Sequence, residues 1–302
     1  MKKVAVLMST YNGEKFIREQ IDSILNQKGR FDLDLYVRDD GSSDNTTIIL
    51  REYEKKNKLK WYTGKNLRPA RSFMNLLENC GQYEYYAFAD QDDFWYEDKI
   101  QRAISQLIGE NGPALYCSNA ELVGKKLENL GRSVYKTPPK TDFETVICAG
   151  GLLGCTMIFN NALAEMIKMH KKNRIMVLHD FYVAAVCVSI GGKIIYDPKS
   201  TMKYRQHDEN VVGVSYGKLG TIMGRIKDII YKEPVSIASQ ARSILINYMN
   251  EIEENRKKWL EKVAHYKDGS INRLKLACSL KTGYINKNMS VKLRLSILLG
   301  NR

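Results

Sequence analysis

The chain has 302 residues, which is long enough for one large domain or one domain with an appendage. Of these residues 44% are hydrophobic and 27% charged, a composition that is ordinary for a globular protein. It contains no run of about 18 apolar residues, so we expect no segment that spans a bilayer. The net charge of +13 is uneven, because residues 218–302 carry 17 Lys and Arg against 7 Asp and Glu (17 − 7 = +10), which leaves +3 for the rest. Nucleic acid and an anionic membrane surface are the two partners that such a tail could meet.

The cysteines and the N-terminus both favour a cytoplasmic protein. The six cysteines include no C-x-x-C pair, so we expect reduced and mostly buried thiols. The apolar run after the basic Met1–Lys3 covers only Val4–Met8, which is too short for a secretory signal and is interpreted as a first strand.

Short β-rich runs alternate with helical patterns over the first hundred residues. In chain order the predicted elements are strand Lys3–Ser9, helix Glu14–Gln27, strand Leu33–Arg38, helix Thr46–Lys56, strand Leu59–Thr63, helix Ser72–Asn79, strand Tyr85–Ala89 and a helix beginning near Asp98. This alternation favours an α/β fold with a mostly parallel sheet and right-handed crossovers.

The pattern is looser after Pro113. Strands are predicted at Ala114–Asn119, Glu121–Val123, Met157–Phe159 and Lys193–Asp197, and helices at Asn161–Lys172 and Asp180–Ile190. The segment Asp142–Ile147 is interpreted as irregular, and Gly150–Thr156 as a glycine-rich loop that leads into a strand. Beyond residue 218 only helical patterns occur.

Three polar clusters directly follow predicted strands, namely Ser9–Asn12, Asp39–Ser42 and Asp90–Asp93. Ligands of an open α/β sheet bind beyond the carboxyl ends of its strands, so we expect the three clusters to gather at one edge. Three convergent clusters favour a binding site over three unrelated polar turns.

The cluster Asp90–Asp93 (DQDD) places three carboxylates within four residues. Their mutual repulsion would raise some of their pKa values, and a divalent cation would remove that cost. Oxygen ligands suit Mg²⁺ or Mn²⁺, and substrate phosphates usually complete the coordination shell of Mg²⁺. The alternative is a solvated acidic turn before the next helix, but the preceding apolar strand and the adjacent Phe94–Trp95 favour a metal site.

The segment Asp39–Asp44 permits two interpretations. It is either a turn with a helix cap, or one of its carboxylates accepts the N3–H of a uracil or thymine ring. The residues alone leave both open, and Tyr11 in the first cluster could stack on the same base.

These motifs strongly resemble those of the family 2 glycosyltransferases of the GT-A fold, and most of all the bacterial rhamnosyltransferases that assemble surface polysaccharides. The segments that carry the resemblance are Val4–Asn12 (VAVLMSTYN), Glu14, Arg38–Asp44 (RDDGSSD) and Ala89–Trp95 (ADQDDFW). The resemblance extends to about residue 215. It implies a GT-A type, mostly parallel (mixed) sheet flanked by helices, with a nucleotide-sugar-binding catalytic domain at residues 1–215 and a basic helical tail at residues 216–302.

The resemblance also implies a role for each matching residue. Metal binding, with Mg²⁺ or Mn²⁺ as the cofactor, is assigned to Asp92 and His207, and Asp180 becomes the catalytic base. Arg68 departs from the pattern, because relatives often have glycine there. The residues assigned to the nucleotide sugar are Thr10, Tyr11, Glu14, Asp39, Asp40, Arg71 and Asp90, and those on the acceptor side are Gly154, Cys155 and Thr156.

The implied reaction is inverting transfer of a sugar from a nucleotide-sugar donor. Asp180 would take the proton of the acceptor hydroxyl, while the metal and Arg71 offset charge on the leaving diphosphate. The best match is L-rhamnose from dTDP-L-rhamnose; a UDP-hexose donor, or a binding protein without transferase activity, is the alternative. A simpler interpretation of Asp180 is the N-cap of an apolar helix.

The basic tail has two interpretations. Its helices pack on the catalytic domain or on a second subunit in a homodimer, or they dock on anionic lipid near a lipid-linked or polysaccharide acceptor. The second interpretation places the protein in the cytoplasm, at the inner face of the cell membrane. No nucleic-acid partner is expected, because no basic aromatic stripe is visible, and Ser9–Glu14 lacks the glycine-rich loop with lysine typical of nucleotidyltransferases.

Overall fold

The computed structural model describes residues 1–206, 235–280 and 287–301. Its strands are β1 Lys2–Thr10, β2 Phe31–Asp39, β3 Lys60–Thr63, β4 Tyr85–Ala89, β5 Phe94–Trp95, β6 Ala114–Val123, β7 Asn129–Ser133, β8 Ile158–Asn160 and β9 Lys193–Arg205. Its α-helices are α1 Ile17–Leu25, α2 Thr46–Lys55, α3 Arg68–Asn79, α4 Lys99–Leu107, α5 Phe143–Ala149, α6 Asn161–Met169, α7 His179–Ser189, α8 Ile237–Asn247, α9 Glu254–Ala264, α10 Ser270–Ser279 and α11 Lys287–Leu298. Within these ranges no helix is both long enough and apolar enough to cross a bilayer.

The chain divides into two compact units that interleave along the sequence. The sheet unit comprises Met1–Lys136, Leu153–Lys168 and Lys193–Gln206, and the helical unit comprises Thr137–Leu152, Met169–Gly192 and the described part of His207–Arg302. Two internal segments therefore group with the tail. The predicted boundary near residue 215 lies outside the described residues and stays a prediction.

The sheet unit contains one mixed sheet in the order β3-β2-β1-β4-β8-β6-β9-β5, with β7 paired to β6. The pairs β1–β2, β1–β4, β2–β3 and β6–β9 are parallel, and the other four pairs are antiparallel. Strand β1 lies between two parallel neighbours, and its run Val4–Met8 is fully buried, as is typical of a strand covered on both faces. The mixed α/β fold implied by the resemblance is confirmed.

Three of the predicted segments take a different form in the structure. Asp142–Ile147 is not irregular, because the Asp142 side chain accepts the Thr145 N–H at 3.1 Å and caps helix α5. The two strands predicted within residues 114–123 form one strand, β6. Strand β9 continues well beyond Asp197, because the β6–β9 register shifts opposite Asn119 and accommodates Pro198 without ending the ladder.

The helical unit has its own core. Helices α5, α7, α8 and α9 pack against one another, and Tyr182 of α7 and Tyr248 after α8 are both fully buried with their hydroxyls 3.3 Å apart. The loop before α7 is fastened to α8, since the Val177 N–H donates to Gln240 Oε1 at 2.8 Å. Part of the C-terminal tail therefore supports the helix that carries Asp180.

Candidate active site

The three polar clusters lie at one edge of the sheet, as predicted. Thr10 at the end of β1 pairs with Asp39 at the end of β2, and Met8 pairs with Ala89 at the end of β4. Because these strands are parallel, their following loops start side by side.

Gln91 joins the first and third clusters. Its Oε1 accepts the Thr10 hydroxyl at 2.6 Å and the Tyr11 N–H at 2.9 Å, and its Nε2 donates to the Tyr11 carbonyl at 3.1 Å. Gly13 leaves room for this amide, since a Cβ there would lie 2.8 Å from Gln91 Cδ. Tyr11 is 48% exposed, so its ring is accessible for the predicted stacking on a base.

The first and second clusters are joined by reciprocal hydrogen bonds. The Asn12 N–H donates to the Ser42 hydroxyl at 2.8 Å, and the Ser43 N–H donates to Asn12 Oδ1 at 2.9 Å. Glu14, predicted to support the ribose, accepts the Asn45 N–H at 2.9 Å through Oε2. These bonds give the loops a defined shape before any ligand binds.

Asp39 is fully buried and organises its own loop. Its carboxylate accepts the Gly41 N–H at 3.2 Å and the Thr63 hydroxyl at 2.7 Å, and it also accepts the Ser42 N–H and hydroxyl. Gly41 has φ +85°, a conformation that glycine adopts without strain. Thus Asp39 fixes the turn, and its contact with a nucleotide stays a prediction.

Asp40 is buried and fixes the start of helix α3. Its carboxylate pairs with Arg38 and accepts the Leu67 N–H at 2.8 Å and the Arg68 N–H at 2.9 Å. Arg68 has φ +64°, a backbone conformation that glycine adopts without strain and that other residues rarely adopt. The predicted bond from Asp40 to a base would therefore have to form at a carboxylate that already serves the fold.

Arg71, predicted to face the diphosphate, lies in the first turn of α3 and is exposed. The same N-terminal turn is anchored by Asp40, which ties the position of Arg71 to the second cluster. A helix N-terminus with a nearby cation suits an anionic ligand.

The acidic loop Asp90–Asp93 is organised by Arg205, which sequence reasoning missed. The Arg205 N–H donates to Asp93 Oδ1 at 3.1 Å, and its Nε donates to the Asp92 carbonyl at 2.6 Å. The guanidinium also donates to the Lys125 carbonyl and pairs with Glu19, and its side chain is almost fully buried. Asp90 and Asp92 themselves are only partly buried.

Asp93 lies in the interior beneath this loop. Burial, and then the charges of Asp92 and Asp90, raise the pKa of Asp93 well above its usual value. This is the crowding that the motif predicted, and a cation would relieve it. Among the described residues, the ligand atoms of Asp90, Asp93 and Cys155 all lie within 4.8 Å of one another. The carboxylates fit a hard divalent ion, whereas the thiol is not a ligand that Mg²⁺ prefers.

Cys155 lies next to Asp90 and Asp93, and Lys99 is hydrogen-bonded to it in the interior. The Lys99 ammonium is buried, donates to the Cys155 carbonyl at 3.0 Å and lies 4.7 Å from the Trp95 ring centroid. Burial lowers the pKa of Lys99 to about 8. Burial, together with Asp93 and Asp90, raises the pKa of the Cys155 thiol well above its ordinary value.

The segment Gly154–Thr156, predicted on the acceptor side, is a buried 3₁₀ turn. The Thr156 hydroxyl donates to the Leu153 carbonyl at 2.7 Å and closes the turn. Because Cys155 adjoins the acidic cluster, the segment lies beneath the predicted metal loop. An acceptor contact stays a prediction.

Asp180 belongs to the helical unit. Leu178 is the N-cap of α7, so the N-cap interpretation of Asp180 is wrong; Asp180 lies in the first turn, where its Oδ1 accepts the Phe181 N–H at 2.7 Å. The Phe181 ring packs against Gly150, where an added Cβ would lie 3.0 Å from the ring. His207, predicted at the metal, lies outside the described residues.

Comparison with solved structures shows the fold class. The S. aureus TarS fragment 1–349 has a TM-score of 0.55 at 18% identity, over 98% of this chain and 81% of that one. The same fragment in complex with UDP has a TM-score of 0.53 at 17% identity, over 99% and 90% of the two chains. The fold is that of the GT-A glycosyltransferases.

The chain belongs to glycosyl transferase family 2, whose model matches residues 5–167. It is 31% identical to "dTDP-rhamnosyl transferase RfbG" of Shigella flexneri over 78% of this chain and 84% of that protein. It is 25% identical to an Escherichia coli β-1,3-glucosyltransferase, WfgD, over 61% of this chain and 72% of that protein. The name of WfgD gives UDP-Glc and α-D-GlcNAc-diphosphoundecaprenol as substrates.

Proposed function

We propose that this glycosyltransferase moves L-rhamnose from dTDP-L-rhamnose to a lipid-linked glycan, with inversion at the anomeric carbon. The observation that carries the proposal is that Gln91 of the acidic loop is hydrogen-bonded to Thr10 and Tyr11 of the first cluster. These bonds join the loop expected to hold the nucleoside to the loop expected to hold the diphosphate. The choice of rhamnose is supported by the similarity to the Shigella flexneri rhamnosyl transferase.

The nucleotide end of the donor would bind across the first two clusters. Tyr11 would stack on the thymine ring, and the backbone groups of Thr10 and Asp40, which bond to each other at 2.8 Å, would border the base. Glu14 and Asp39 hold the surrounding loops, so they would act on the ribose side by shaping the pocket.

The diphosphate would lie over the acidic loop. Asp92, with Asp90 assisting, would hold Mg²⁺ or Mn²⁺, and the ion would offset charge on the diphosphate as it leaves. Arg71 would add a second positive charge from the first turn of α3. The buried Asp93 would support this loop from below through its bond to Arg205.

Asp180 would act as the general base for the acceptor hydroxyl. Its place in the first turn of α7, on a helix supported by α5 and α8, gives the carboxylate a fixed backbone. The acceptor class is suggested by the name of the Escherichia coli relative, which acts on a diphosphoundecaprenol-linked sugar. An acceptor in the membrane would place the enzyme at the cytoplasmic face of the bilayer, where the basic tail would meet anionic lipid.

A panel of nucleotide sugars tests the donor. We expect dTDP-L-rhamnose with Mg²⁺ or Mn²⁺ to raise the melting temperature more than UDP-glucose, UDP-GlcNAc or dTDP-glucose, since a ligand that binds only the folded state stabilises it by about 2.7 kcal/mol at a hundredfold excess over Kd. The Asp92→Asn variant should lose the metal-dependent part of that shift. If no nucleotide sugar stabilises the protein with metal present, the proposal fails; if UDP-glucose is preferred, the rhamnosyl assignment fails while the transferase remains.

A further inference from the structure

The C-terminal helix α10 exposes apolar side chains along one stripe. Ile271 and Leu274 are 70% and 55% exposed, whereas Leu276 and Ala277 on the other side of the helix are buried. Large apolar side chains on a helix surface are costly in water when they form a continuous stripe.

Helix α11 repeats this arrangement. Val291, Leu295 and Leu298 follow the i, i+4, i+7 spacing of one helix face, and all three are exposed. Leu293 and Ile297 point the opposite way and are buried. The helix therefore has two apolar faces, of which only one is covered within the described part of the chain.

The two helices pack side by side and run in opposite directions. An Arg294 Nη2–H of α11 donates to the carbonyl of Leu280, just after α10, at 2.6 Å. At the other end, Arg273 near the start of α10 lies against Gly300, where an added Cβ would be 2.9 Å from the guanidinium carbon. We call α10 and α11 the C-terminal helix pair.

The positive charge of the tail is concentrated in the sequence range that contains this pair. Residues 270–302 hold 7 Lys and Arg and no Asp or Glu, whereas residues 235–269 hold 6 Lys and Arg against 5 Asp and Glu. Partial burial, and then the nearby Arg273, lower the pKa of Lys267 just before the pair. Thus the charge is dense where the apolar stripes are exposed.

Exposed leucines beside basic side chains match the chemistry of an anionic bilayer surface. A second copy of the chain would bring the same basic face into a symmetric contact, where like charges repel. Nucleic acid would use the cations but leave the leucine stripes in water. We propose that the C-terminal helix pair lies in the interface of an anionic membrane, with its apolar stripes among acyl chains and its basic side chains at lipid phosphates.

This inference rests on the proposed function only in that a lipid-linked acceptor requires the enzyme at a membrane. It adds the surface that makes the contact, and it assigns the contact to the helices Ser270–Ser279 and Lys287–Leu298 rather than to the whole tail. Helices α8 and α9 belong to residues 235–269, whose net charge is only +1 (6 − 5), and would serve the helical unit instead.

Vesicle flotation of the full-length protein tests the proposal. We expect binding to vesicles of phosphatidylglycerol and phosphatidylethanolamine but little binding to phosphatidylcholine. The double variant Leu295→Ser/Leu298→Ser should bind at least about tenfold more weakly, because the two leucine side chains no longer enter the acyl region. The variant Lys275→Gln/Lys292→Gln should lose about fivefold per charge at low salt, which corresponds to about 1 kcal/mol for each lysine.

The matched control is Ile48→Ser/Ile108→Ser, which removes two similarly exposed apolar side chains from the sheet unit and should leave vesicle binding unchanged. Equal binding by the leucine variant and this control would overturn the proposal. A fall in molecular mass in solution for the leucine variant, with vesicle binding intact, would also overturn it and identify a subunit contact. Thermal stabilisation by dTDP-L-rhamnose should be the same in all variants, which separates this test from that of the donor.

Discussion

Replacing Arg205 tests how the acidic loop is positioned. Its side chain is 2% exposed and donates to the carbonyls of Asp92 and Lys125, while its partner Glu19 is 46% exposed. In Arg205→Met, Glu19 can regain water, so the ion pair itself contributes little. The two carbonyls lose their charged donor at about 1–3 kcal/mol each, which predicts a loss of about 2–6 kcal/mol in the free energy of unfolding.

The consequence for function is measured separately from stability. The loop carrying Asp92 loses its anchor, so Mn²⁺ affinity in the presence of dTDP should fall about 10–100-fold, as is usual when a group that orients ligands is removed. Urea unfolding gives the stability, and the paramagnetic resonance of free Mn²⁺ gives the affinity. The control Arg102→Met removes an ion pair with Asp197, outside the motif loops. Unchanged Mn²⁺ affinity in Arg205→Met, with folding intact, would refute the positioning role.

Three further changes have defined outcomes. Burial lowers the folded-state pKa of Lys99 to about 8 from an ordinary 10.5, so the unfolded chain binds more protons between these pH values. In urea unfolding, the stability of wild type relative to Lys99→Met should therefore rise by about 2–3 kcal/mol from pH 7 to pH 10. A difference that does not change with pH would contradict the buried ammonium. Gly13→Ala should displace the Gln91 amide and weaken dTDP-sugar binding about tenfold in calorimetry, with little change in melting temperature. A fully retained affinity would argue against a role in donor binding for the bonds from Gln91 to Thr10 and Tyr11. Gln240→Ala frees the loop before Asp180 from α8, so we expect a lower kcat with little change in KM. A change in KM alone would show that α8 does not support the catalytic step.

The parallel half of the sheet could be predicted because its signals are local. Strand β4 matches its predicted range, and β1 and β2 match to within two residues at each end, since each is an apolar run followed by a polar cluster. The rule that ligands bind beyond strand ends then placed the three clusters together without any structure.

What sequence reasoning missed depends on contacts between distant residues. Gln91 stood inside the acidic motif, but its bonds to Thr10 and Tyr11 span about 80 positions, and Arg205 is 113 positions from Asp92. Helix α5 is different, because its signal was present: Asp142 precedes Thr145 at the spacing of an N-cap and was not recognised as one. The interleaving of the two units left no local trace in composition.

The sequence predicted that some carboxyl groups of the acidic cluster have raised pKa values, but not which residue. Three carboxylates in four residues imply raised pKa values, yet only the fold shows that the buried member is Asp93. That result leaves the partly buried Asp90 and Asp92 as the carboxylates of this loop nearer to solvent, and their roles at the metal and the donor stay predictions.

Single-turnover transfer from dTDP-L-rhamnose to GlcNAc-diphosphoundecaprenol in detergent tests the proposed roles of Asp180 and Asp92 most directly. We predict that Asp180→Asn binds the metal and donor normally but transfers the sugar at least about a hundredfold more slowly, as expected when a general base is removed. Asp92→Asn should instead lose metal-dependent donor binding as well as transfer. Near-native transfer rates in both folded variants would contradict the account, whatever the donor affinity.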